Sequence, residues 1–196
     1  MPHGEGGVCR CGWVNLKNPL YVRYHDQEWG VPLHEDGRLF ELLLLECFQA
    51  GLSWECILNK RENFRAAFDG FDPEKISRYG APETARLLAD AGIIRNRRKI
   101  AAAVTNSRVF LEIQREYGSF DAYIWHFTEG KTLRESYEIR TTSPLSDRVS
   151  ADLRKRGMGF VGSTVIYSYL QAIGVLNGHS AACAWGTIDG QIDSAV

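Results

Sequence analysis

The sequence contains no apolar run long enough to cross a bilayer, and residues 1–8 are polar and glycine-rich, unlike a signal peptide. Proline is scarce, with 6 residues, and no segment is of low complexity. These absences argue against an integral membrane protein and against a disordered one. With 196 residues, of which 44% are hydrophobic, the chain can bury a real core. We therefore expect a cytoplasmic globular protein with no membrane partner.

Acidic residues are missing from two long stretches, 92–111 and 153–188, although the net charge of the whole chain is only −1. The basic residues in these stretches include Arg95, Arg97, Arg98, Lys99 and Arg108 in the first and Arg154, Lys155 and Arg156 in the second. Two basic patches on a nearly neutral protein suit one face that binds a phosphate backbone. Solvated helix ends would give the same charge pattern.

Alternating polar and apolar residues are also absent, so we expect an all-α protein with essentially no sheet. In the longest predicted helix, 96–117, the apolar side chains of Ile100, Val104 and Leu111 fall on one stripe. Helices are predicted at 37–50 with Asp36 as the N-cap, after Ser53, at 63–68, after Asp72 and Pro73, and at 82–91, 96–117, 120–127, 146–155 and 163–173.

The number of cysteines is odd, five, and we expect a reducing cytosol, so a disulfide framework is not predicted. Cys47 and Cys56 lie in strongly apolar surroundings and are predicted to be small buried residues. The remaining cysteines lie near the two chain ends and need another explanation.

Cysteine and histidine residues occur together near both ends of the chain, as Cys11 with His25 and as His179 with Cys183. Two thiolates and two imidazoles form a closed tetrahedral zinc set, which is typical of a structural site that ties chain ends together. From spacing alone, Cys9 competes with Cys11 as the ligand. The alternative is a surface His25 and an incidental thiol at Cys183.

Glu46 follows four consecutive leucines and precedes Cys47 and Phe48. A carboxylate in such a helix costs several kcal/mol if it is buried without a partner. It must therefore be paired, reach a cleft, or have a function; a helix-end acid that reaches solvent is the common outcome.

Aromatic residues are concentrated in the first third of the chain, as Trp13, Tyr21, Tyr24, Trp29 and Trp54. Most aromatic side chains belong to a core. Several of them beside a lone carboxylate can instead form the stacking walls of a pocket for a flat base.

Residues 91–96 form a tight turn between two predicted helices and lead into basic residues. This pattern suits a helix-hairpin-helix, in which backbone N–H groups and a helix N-terminus bind a DNA phosphate. The second glycine usual in that motif is replaced by Ile94, so a plain corner between two helices is the alternative.

Taken together, these segments resemble the DNA-3-methyladenine glycosylase I family, bacterial enzymes of the helix-hairpin-helix superfamily. The resemblance runs from about Arg10 to Cys183. The matching segments are Cys-Gly-Trp at 11–13, Pro-Leu-Tyr at 19–21, Tyr-His-Asp-Gln-Glu-Trp-Gly-Val-Pro at 24–32, Gln-Ala-Gly-Leu-Ser-Trp at 49–54, Lys-Arg-Glu-Asn at 60–63, Ala-Gly-Ile-Ile-Arg at 91–95, Lys-Arg-Gly at 155–157, Phe-Val-Gly-Ser-Thr at 160–164 and Asn-Gly-His at 177–179.

The resemblance implies a base-excision repair enzyme that flips 3-methyladenine out of alkylated double-stranded DNA and hydrolyses its N-glycosidic bond, without a lyase step. It implies a helix-hairpin-helix glycosylase fold whose N- and C-terminal segments are clasped by one structural zinc. The expected organisation is a single unit, 1–196, with a helical core at 33–150 and a terminal lobe of 9–32 plus 151–183. We expect a monomer with no obligate protein partner.

The resemblance also implies roles for individual residues. Glu46 is the catalytic residue and contacts the alkylated base; we expect it to be ionised and to accept a hydrogen bond from that base. The base-binding residues are Trp13, Tyr21, Tyr24, Glu46 and Trp54, with Trp54 stacking on the base. The zinc ligands are Cys11, His25, His179 and Cys183, which selects Cys11 over Cys9. The predicted DNA contacts are Gly92, Ile94, Arg95, Arg97 and Lys99.

Two segments depart from the family pattern. Cys47 and Phe48 are bulkier or less polar than the residues expected beside Glu46, and a glycosylase with a shifted substrate such as 3-methylguanine is therefore one alternative. The tail 184–196 also differs. Two further alternatives are a zinc-clasped DNA-binding module without activity and a zinc-held protein interaction domain.

Overall fold

Helices make up most of residues 8–135 and 140–186, the part of the chain that the computed structural model describes. They are α1 Pro19–Gln27, α2 Asp36–Gln49, α3 Trp54–Leu58, α4 Arg61–Ala67, α5 Pro73–Ile76, α6 Ala81–Ala89, α7 Arg97–Tyr117, α8 Phe120–His126, α9 Pro144–Lys155 and α10 Ser163–Ala172. A short 3-10 turn, Asp69–Phe71, joins α4 to α5. Within these residues, every helix is too short or too polar to cross a membrane.

The mostly helical class predicted from the sequence is confirmed, with differences in detail. Strands β1 Leu133–Arg134 and β2 Leu176–Asn177 form a small parallel pair. Helix α1 was not predicted; Pro19 opens it, and the side chain of Asn18 caps it by accepting from the amide of Leu20. Helix α6 ends at Ala89, two residues earlier than the sequence indicated.

Helix α2 lies at the centre of the fold and is buried on every side from Leu39 to Phe48. Phe40 packs against Phe110 of α7, with ring centroids 4.6 Å apart. Phe48 packs against Phe64, with ring centroids 4.9 Å apart. A helix that is apolar all round belongs in an interior, which is where this one lies. Any polar side chain near its C-terminal end must therefore find a partner or a cavity.

The charged residue Glu41 finds partners within the described structure. Its Oε1 lies 2.6 Å from Nε of Arg61 and 2.9 Å from Arg65. Arg61 also contacts Glu28, just after α1, with Nη1 2.7 Å from Oε2. Glu41 and Arg61 are both buried, and each has a second ionic partner, Arg65 and Glu28 respectively, so both buried charges are well compensated. This network fixes the end of α1 and the start of α4 against α2.

The segment that follows α1 lies against the end of α10. The amides of Gly30 and Leu33 donate to the carbonyls of Gln171 and Ile173, at 3.0 and 3.1 Å. Gly174 makes this close approach possible, since it has a φ of +75° and a Cβ there would overlap the backbone at Val31 and Pro32. The segment that follows α1 and the segment that follows α10 are thus brought side by side.

Asp36 does not cap α2 as predicted, because it is the first residue of that helix and Glu35 occupies the cap position. Its carboxylate instead accepts from the amides of Phe120 and Asp121, both at 2.8 Å, and from the side chain of Gln114. Asp36 therefore satisfies the free amides at the start of α8.

Replacing Asp36 with Ala should lower the free energy of unfolding by about 2 kcal/mol. The reason is that the amides of Phe120 and Asp121 and the side chain of Gln114 lose a charged acceptor. Glu35→Ala is the matched control, since it removes an exposed neighbouring carboxylate and should change stability by less than about 0.5 kcal/mol. Urea denaturation of the three proteins measures the difference. Equal stabilities for the two variants would show that Asp36 does not hold α8.

Candidate functional site

A cavity of about 180 Å³ opens at the surface between α1, α2, α3 and α10. A cavity of roughly 150 Å³ holds a benzene ring, so this one has room for a flat heteroaromatic ring. Its walls are mostly aromatic, with one carboxyl group and two amide groups. The lining residues are Trp13, Tyr21, Tyr24, Trp29, Glu46, Gln49, Trp54, Ser168 and Gln171.

Glu46 is the one carboxyl group that lines this cavity, and it is 3% exposed. Its Oε2 is buried and has no hydrogen-bond partner within the described residues. Burial raises the pKa of Glu46 to about 8, because no nearby cation compensates for the loss of water. Without a bound cation, the carboxyl of Glu46 is therefore mainly protonated at pH 7, and the expected ionised form requires a positive charge beside it.

The aromatic side chains predicted to bind a base do come together around Glu46. Tyr24 and Trp54 lie with ring centroids 5.1 Å apart, and Trp13 lies 5.4 Å from Tyr21. The indole Nε1 of Trp54 is buried and has no acceptor among the described residues. Two residues that line the cavity thus each carry a buried polar atom without a partner among the described residues.

Four lining residues were missed among the predicted base-binding residues: Trp29, Gln49, Ser168 and Gln171. Gln49 could have been found, since it lies three positions after Glu46 on the same helix face. Ser168 and Gln171 share a face of α10 for the same reason. Their place in the pocket depends on the packing of α10 against α2, which no local pattern reveals.

Cys47 and Phe48, by contrast, do not line the cavity. The thiol of Cys47 lies 3.6 Å from Nδ2 of Asn106 and 3.8 Å from the carbonyl of Gly159. Phe48 packs into the core against Phe64. Neither side chain contributes to the lining of the cavity, so these two residues give no support to the alternative of another lesion preference.

The four predicted metal ligands converge at one place. The ligand atoms of Cys11, His25, His179 and Cys183 all lie within 4.8 Å of one another, and all four residues are buried. Cys183 Sγ lies 3.5 Å from His25 Nε2 and 3.5 Å from His179 Nδ1. A tetrahedral zinc ion with ordinary bond lengths separates a sulfur from a nitrogen ligand by about 3.6 Å. Cys9 is exposed and does not belong to the cluster.

The histidine rings are oriented for a metal by their other nitrogens. Nδ1 of His25 lies 2.8 Å from Oδ1 of Asp26, which Arg10 holds through Nη2 at 2.6 Å. Nε2 of His179 lies 3.3 Å from the carbonyl of Trp29. Both of these nitrogens have acceptors and so carry the proton, which leaves Nε2 of His25 and Nδ1 of His179 as lone-pair ligands. Burial lowers the pKa of His179 to about 4, so its ring is neutral.

Trp29 connects this cluster to the cavity. Its ring lies 4.5 Å from the ring of His179 and 4.8 Å from that of Trp13, which also lines the cavity. Trp13 in turn lies 5.3 Å from His25. Trp13 and Trp29 form what we call the outer aromatic wall of the cavity, and this wall packs against the rings of His25 and His179.

The predicted hairpin is a turn between α6 and α7. Lys60 Nζ donates to the carbonyls of Ala91 and Gly92, both at 3.3 Å. Gly92 has an ordinary φ, but a Cβ there would lie 3.2 Å from side-chain atoms of Asn63, so close packing requires the glycine. The amide of Gly92 donates to Asp90 and is therefore not free to bind a phosphate.

The other residues predicted to contact DNA in this region differ in how exposed their side chains are. The side chains of Arg95 and Arg97 are exposed, and the backbone amides of Ile94 and Arg95 have no acceptor within the described residues. Lys99, however, is 6% exposed, and its Nζ donates to the carbonyls of Phe48 and Ala50 at 2.7 Å each. The prediction that Lys99 contacts DNA is wrong because its ammonium group is bound to two backbone carbonyls inside the protein.

In the second basic patch, which lies in the stretch 153–188, one of the arginines is paired with acidic residues. Arg156 forms ion pairs with Glu116 at 2.5 Å and with Asp152 at 2.7 Å. Its guanidinium therefore neutralises acids of α7 and α9 and is not an open cationic contact. Arg154 and Lys155, its neighbours in this patch, remain exposed.

Comparison with known proteins gives a consistent set of matches. The family model described as methyladenine glycosylase matches residues 13–186. DNA-3-methyladenine glycosylase 1 of Escherichia coli strain K12 is 45% identical over 181 residues, which is 89% of this chain and 95% of that protein.

Two solved structures agree with these sequence matches. A crystal structure of 3-methyladenine DNA glycosylase I superposes with a TM-score of 0.88 at 43% identity, covering 91% of this chain and all of that one. The Staphylococcus aureus 3-methyladenine DNA glycosylase I, studied for its recognition of 3-methyladenine, gives a TM-score of 0.85 at 35% identity, covering 89% of this chain and 95% of that one.

The burial of Glu46 should make the stability of the protein depend on pH. Its pKa of about 8 in the folded state lies above the value of about 4.3 expected in the unfolded chain, so unfolding releases a proton between these values. The free energy of unfolding should therefore fall as pH rises from 5 to 8 and then level off. Relative to Glu46→Gln, the wild type should lose on the order of 4 kcal/mol over this range.

Denaturant unfolding of the wild type and of Glu46→Gln at pH 5, 7 and 9 measures this difference. Effects of pH on other groups cancel because both proteins share them. Two stability curves that stay parallel from pH 5 to 9 would show that Glu46 is not buried without a partner.

Proposed function

The chain belongs to the methyladenine glycosylase family, and we propose that it releases 3-methyladenine from alkylated DNA within the cavity that contains Glu46. The observation that supports this place for the reaction is the buried Oε2 of Glu46, which has no partner and lies in a ring-lined cavity. As a glycosylase of base-excision repair, the protein hydrolyses an N-glycosidic bond. The two non-enzymatic alternatives are set aside by this membership.

The chemistry of the lesion explains why the cavity needs few catalytic groups. Alkylation at N3 gives the adenine of the nucleotide a positive charge, which makes the base a good leaving group. The base leaves with the electron pair of its bond to C1′, as neutral 3-methyladenine, and a water molecule adds its oxygen to C1′ and gives up a proton. No lysine lines the cavity in the described structure, which favours hydrolysis over a lyase step.

The aromatic walls favour a cationic base over a neutral one. The faces of Trp54, Tyr24 and Trp13 carry negative potential and attract a positive ring by about 0.5–2 kcal/mol each where water is excluded. A flipped base between these rings also regains the stacking that it loses on leaving the duplex.

Glu46 adds discrimination through its proton. At pH 7, removing the proton from a group of pKa about 8 costs about 1.4 kcal/mol. A cationic base at hydrogen-bond distance repays this cost, because opposite charges attract strongly in a dry cavity. Unmodified adenine offers no charge to do so. We therefore propose that the lesion ionises Glu46 on binding and that the carboxylate then accepts a hydrogen bond from the base.

The turn between α6 and α7 is the proposed site of duplex binding. We propose that it acts as a helix-hairpin-helix in which the free amides of Ile94 and Arg95 and the side chains of Arg95 and Arg97 bind phosphates of double-stranded DNA. Lys99 is excluded from this set by its internal contacts.

The four-residue cluster is proposed to hold one structural zinc through Cys11, His25, His179 and Cys183. When bound, a zinc ion supplies a rigid tie between the chain ends and leaves no open position for chemistry. The division into a core of 33–150 and a terminal lobe of 9–32 plus 151–183, clasped by this tie, remains part of the proposal.

Replacing Glu46 with Gln should slow base release at saturating DNA by about tenfold to a hundredfold, because the amide cannot become a carboxylate. For the wild type, kcat/KM should rise about tenfold per pH unit below pH 8 and then level off, since the free enzyme must lose the proton of Glu46. Release of 3-methyladenine from methylated duplex DNA, corrected for spontaneous loss, gives both quantities.

Glu62→Gln serves as the control, since it removes an exposed carboxylate on α4 and should keep the wild-type rate and profile. Unchanged excision by Glu46→Gln would remove Glu46 from the mechanism. A wild-type profile that stays flat from pH 6 to 9 would show that the carboxylate is not the active form.

Replacing Cys183 with Ser should abolish stoichiometric zinc binding and lower the melting temperature by more than roughly 10 °C, because the tie between the chain ends is lost. Cys9→Ser removes a neighbouring exposed thiol and should keep one zinc per chain and the wild-type melting temperature. Metal analysis and calorimetry report both properties without reference to activity. A Cys183→Ser protein as stable as the zinc-bound wild type would refute the structural role.

A further inference from the structure

Lys99 is the one buried cation of the predicted DNA-binding set, and its surroundings explain why. Its Nζ lies 2.7 Å from the carbonyl oxygens of both Phe48 and Ala50. The ring of Phe160 covers the ammonium group, with its centroid 5.8 Å from Nζ. A buried lysine without acceptors would lose its proton, whereas two carbonyls and an aromatic face keep it charged.

These two carbonyls belong to the C-terminal end of α2, the helix that carries Glu46. The cap residue, Ala50, makes no capping hydrogen bond of its own, so the last carbonyls of the helix need another donor. Lys99 supplies that donor from α7. A positive charge at this position also interacts favourably with the negative end of the α2 dipole.

The two carbonyls that accept from Lys99 lie at the start of the turn at residues 50–53. This turn connects two segments that line the cavity. Glu46 and Gln49 line the cavity just before the turn, and Trp54 lines it just after. Only one short backbone bond within the turn, from the amide of Leu52 to the carbonyl of Gln49 at 2.6 Å, is found among the described residues. The separation of Glu46 from Trp54 therefore depends on what holds this turn.

Lys99 stands in the first turn of α7, immediately after the hairpin. Its own amide donates to Oδ1 of Asn96, the cap of that helix, at 3.2 Å. Further along the same face of α7, Asn106 bonds both backbone groups of Gly159, which holds Phe160 over the ammonium group. One face of α7 thus positions both Lys99 and the ring of Phe160 that covers its ammonium group.

We propose that Lys99 is a positioning residue that fixes the 50–53 turn against the start of α7. The cavity and the DNA-binding hairpin then keep a fixed position relative to each other, which we call their register. The proposal rests on the proposed function for its catalytic readout and on contacts alone for its structural one. A phosphate gripped by the hairpin then places the flipped base directly between Glu46 and Trp54. A displacement of about 1 Å in such a register is enough to cost on the order of a hundredfold in rate.

The test compares Lys99→Met with Lys99→Arg and with Arg97→Met, which removes an exposed charge from the same helix turn. Single-turnover release of 3-methyladenine is measured at saturating methylated duplex, and the salt dependence of binding is measured on the same DNA. Amide hydrogen exchange at residues 50–54 is followed without DNA, so that this readout does not depend on the enzymatic function.

For Lys99→Met we expect release at saturating DNA to slow by tenfold to a hundredfold, faster exchange at 50–54, and an unchanged salt slope. For Arg97→Met, the positive control for a phosphate contact, we expect a salt slope smaller by about one and unchanged exchange at 50–54. Lys99→Arg keeps a charged donor for the two carbonyls and should recover most of the rate and the protection.

The outcomes separate the explanations. A smaller salt slope in Lys99→Met, with normal exchange at 50–54, would make Lys99 a phosphate contact and overturn the proposal. Normal release by a Lys99→Met or Lys99→Arg protein whose turn exchanges fast would also overturn it, because the turn would then not set the register. Absence of release by the wild type would instead refute the proposed function and leave the exchange result to decide the structural part.

Discussion

The contact of Trp29 with the rings of His179 and Trp13 is the interaction on which the rest of the described structure depends. It joins two places that the sequence keeps apart, the Cys/His cluster and the cavity. Because the cluster draws its members from both chain ends, the aromatic wall is only as well ordered as the closure of those ends. A metal bound by the cluster would therefore help to order the aromatic wall without touching it.

The cavity itself places stability and function in opposition. An acid on the most apolar helix of the protein, with no partner for Oε2, destabilises the fold at neutral pH, and an amide or a leucine there would remove that cost. In the proposed function, the same lack of a partner favours a cationic base, since the base supplies the positive charge that the protein does not. Buried acids elsewhere on this helix are treated differently, as Glu41 is fully paired with Arg61 and Arg65.

Much of the site was predictable because its signals are local. Glu46 stands out as an acid directly after a run of leucines, and the cysteines and histidines near the two ends suggest a metal-binding set, although only the resemblance selects Cys11 over Cys9. The signals that failed are those that depend on packing. A cluster of basic residues does not show which cation turns inward, so Lys99 was placed on the surface. Helix α1 has little apolar character and is held by its cap and by its tertiary contacts. Ser168 and Gln171 reach the cavity only because α10 crosses α2.

The closure of the chain ends also sets the order in which the protein can assemble. The contacts of Cys11 with His179 and of Trp29 with His179 span 168 and 150 residues, and such distant pairs form late in folding because so much chain entropy must be lost first. During synthesis the helices around α2 can pack as they emerge, but the outer aromatic wall must wait for residues 179 and 183 to leave the ribosome. A chain that is cut short near its end would therefore keep a helical core and lack the means to hold a base.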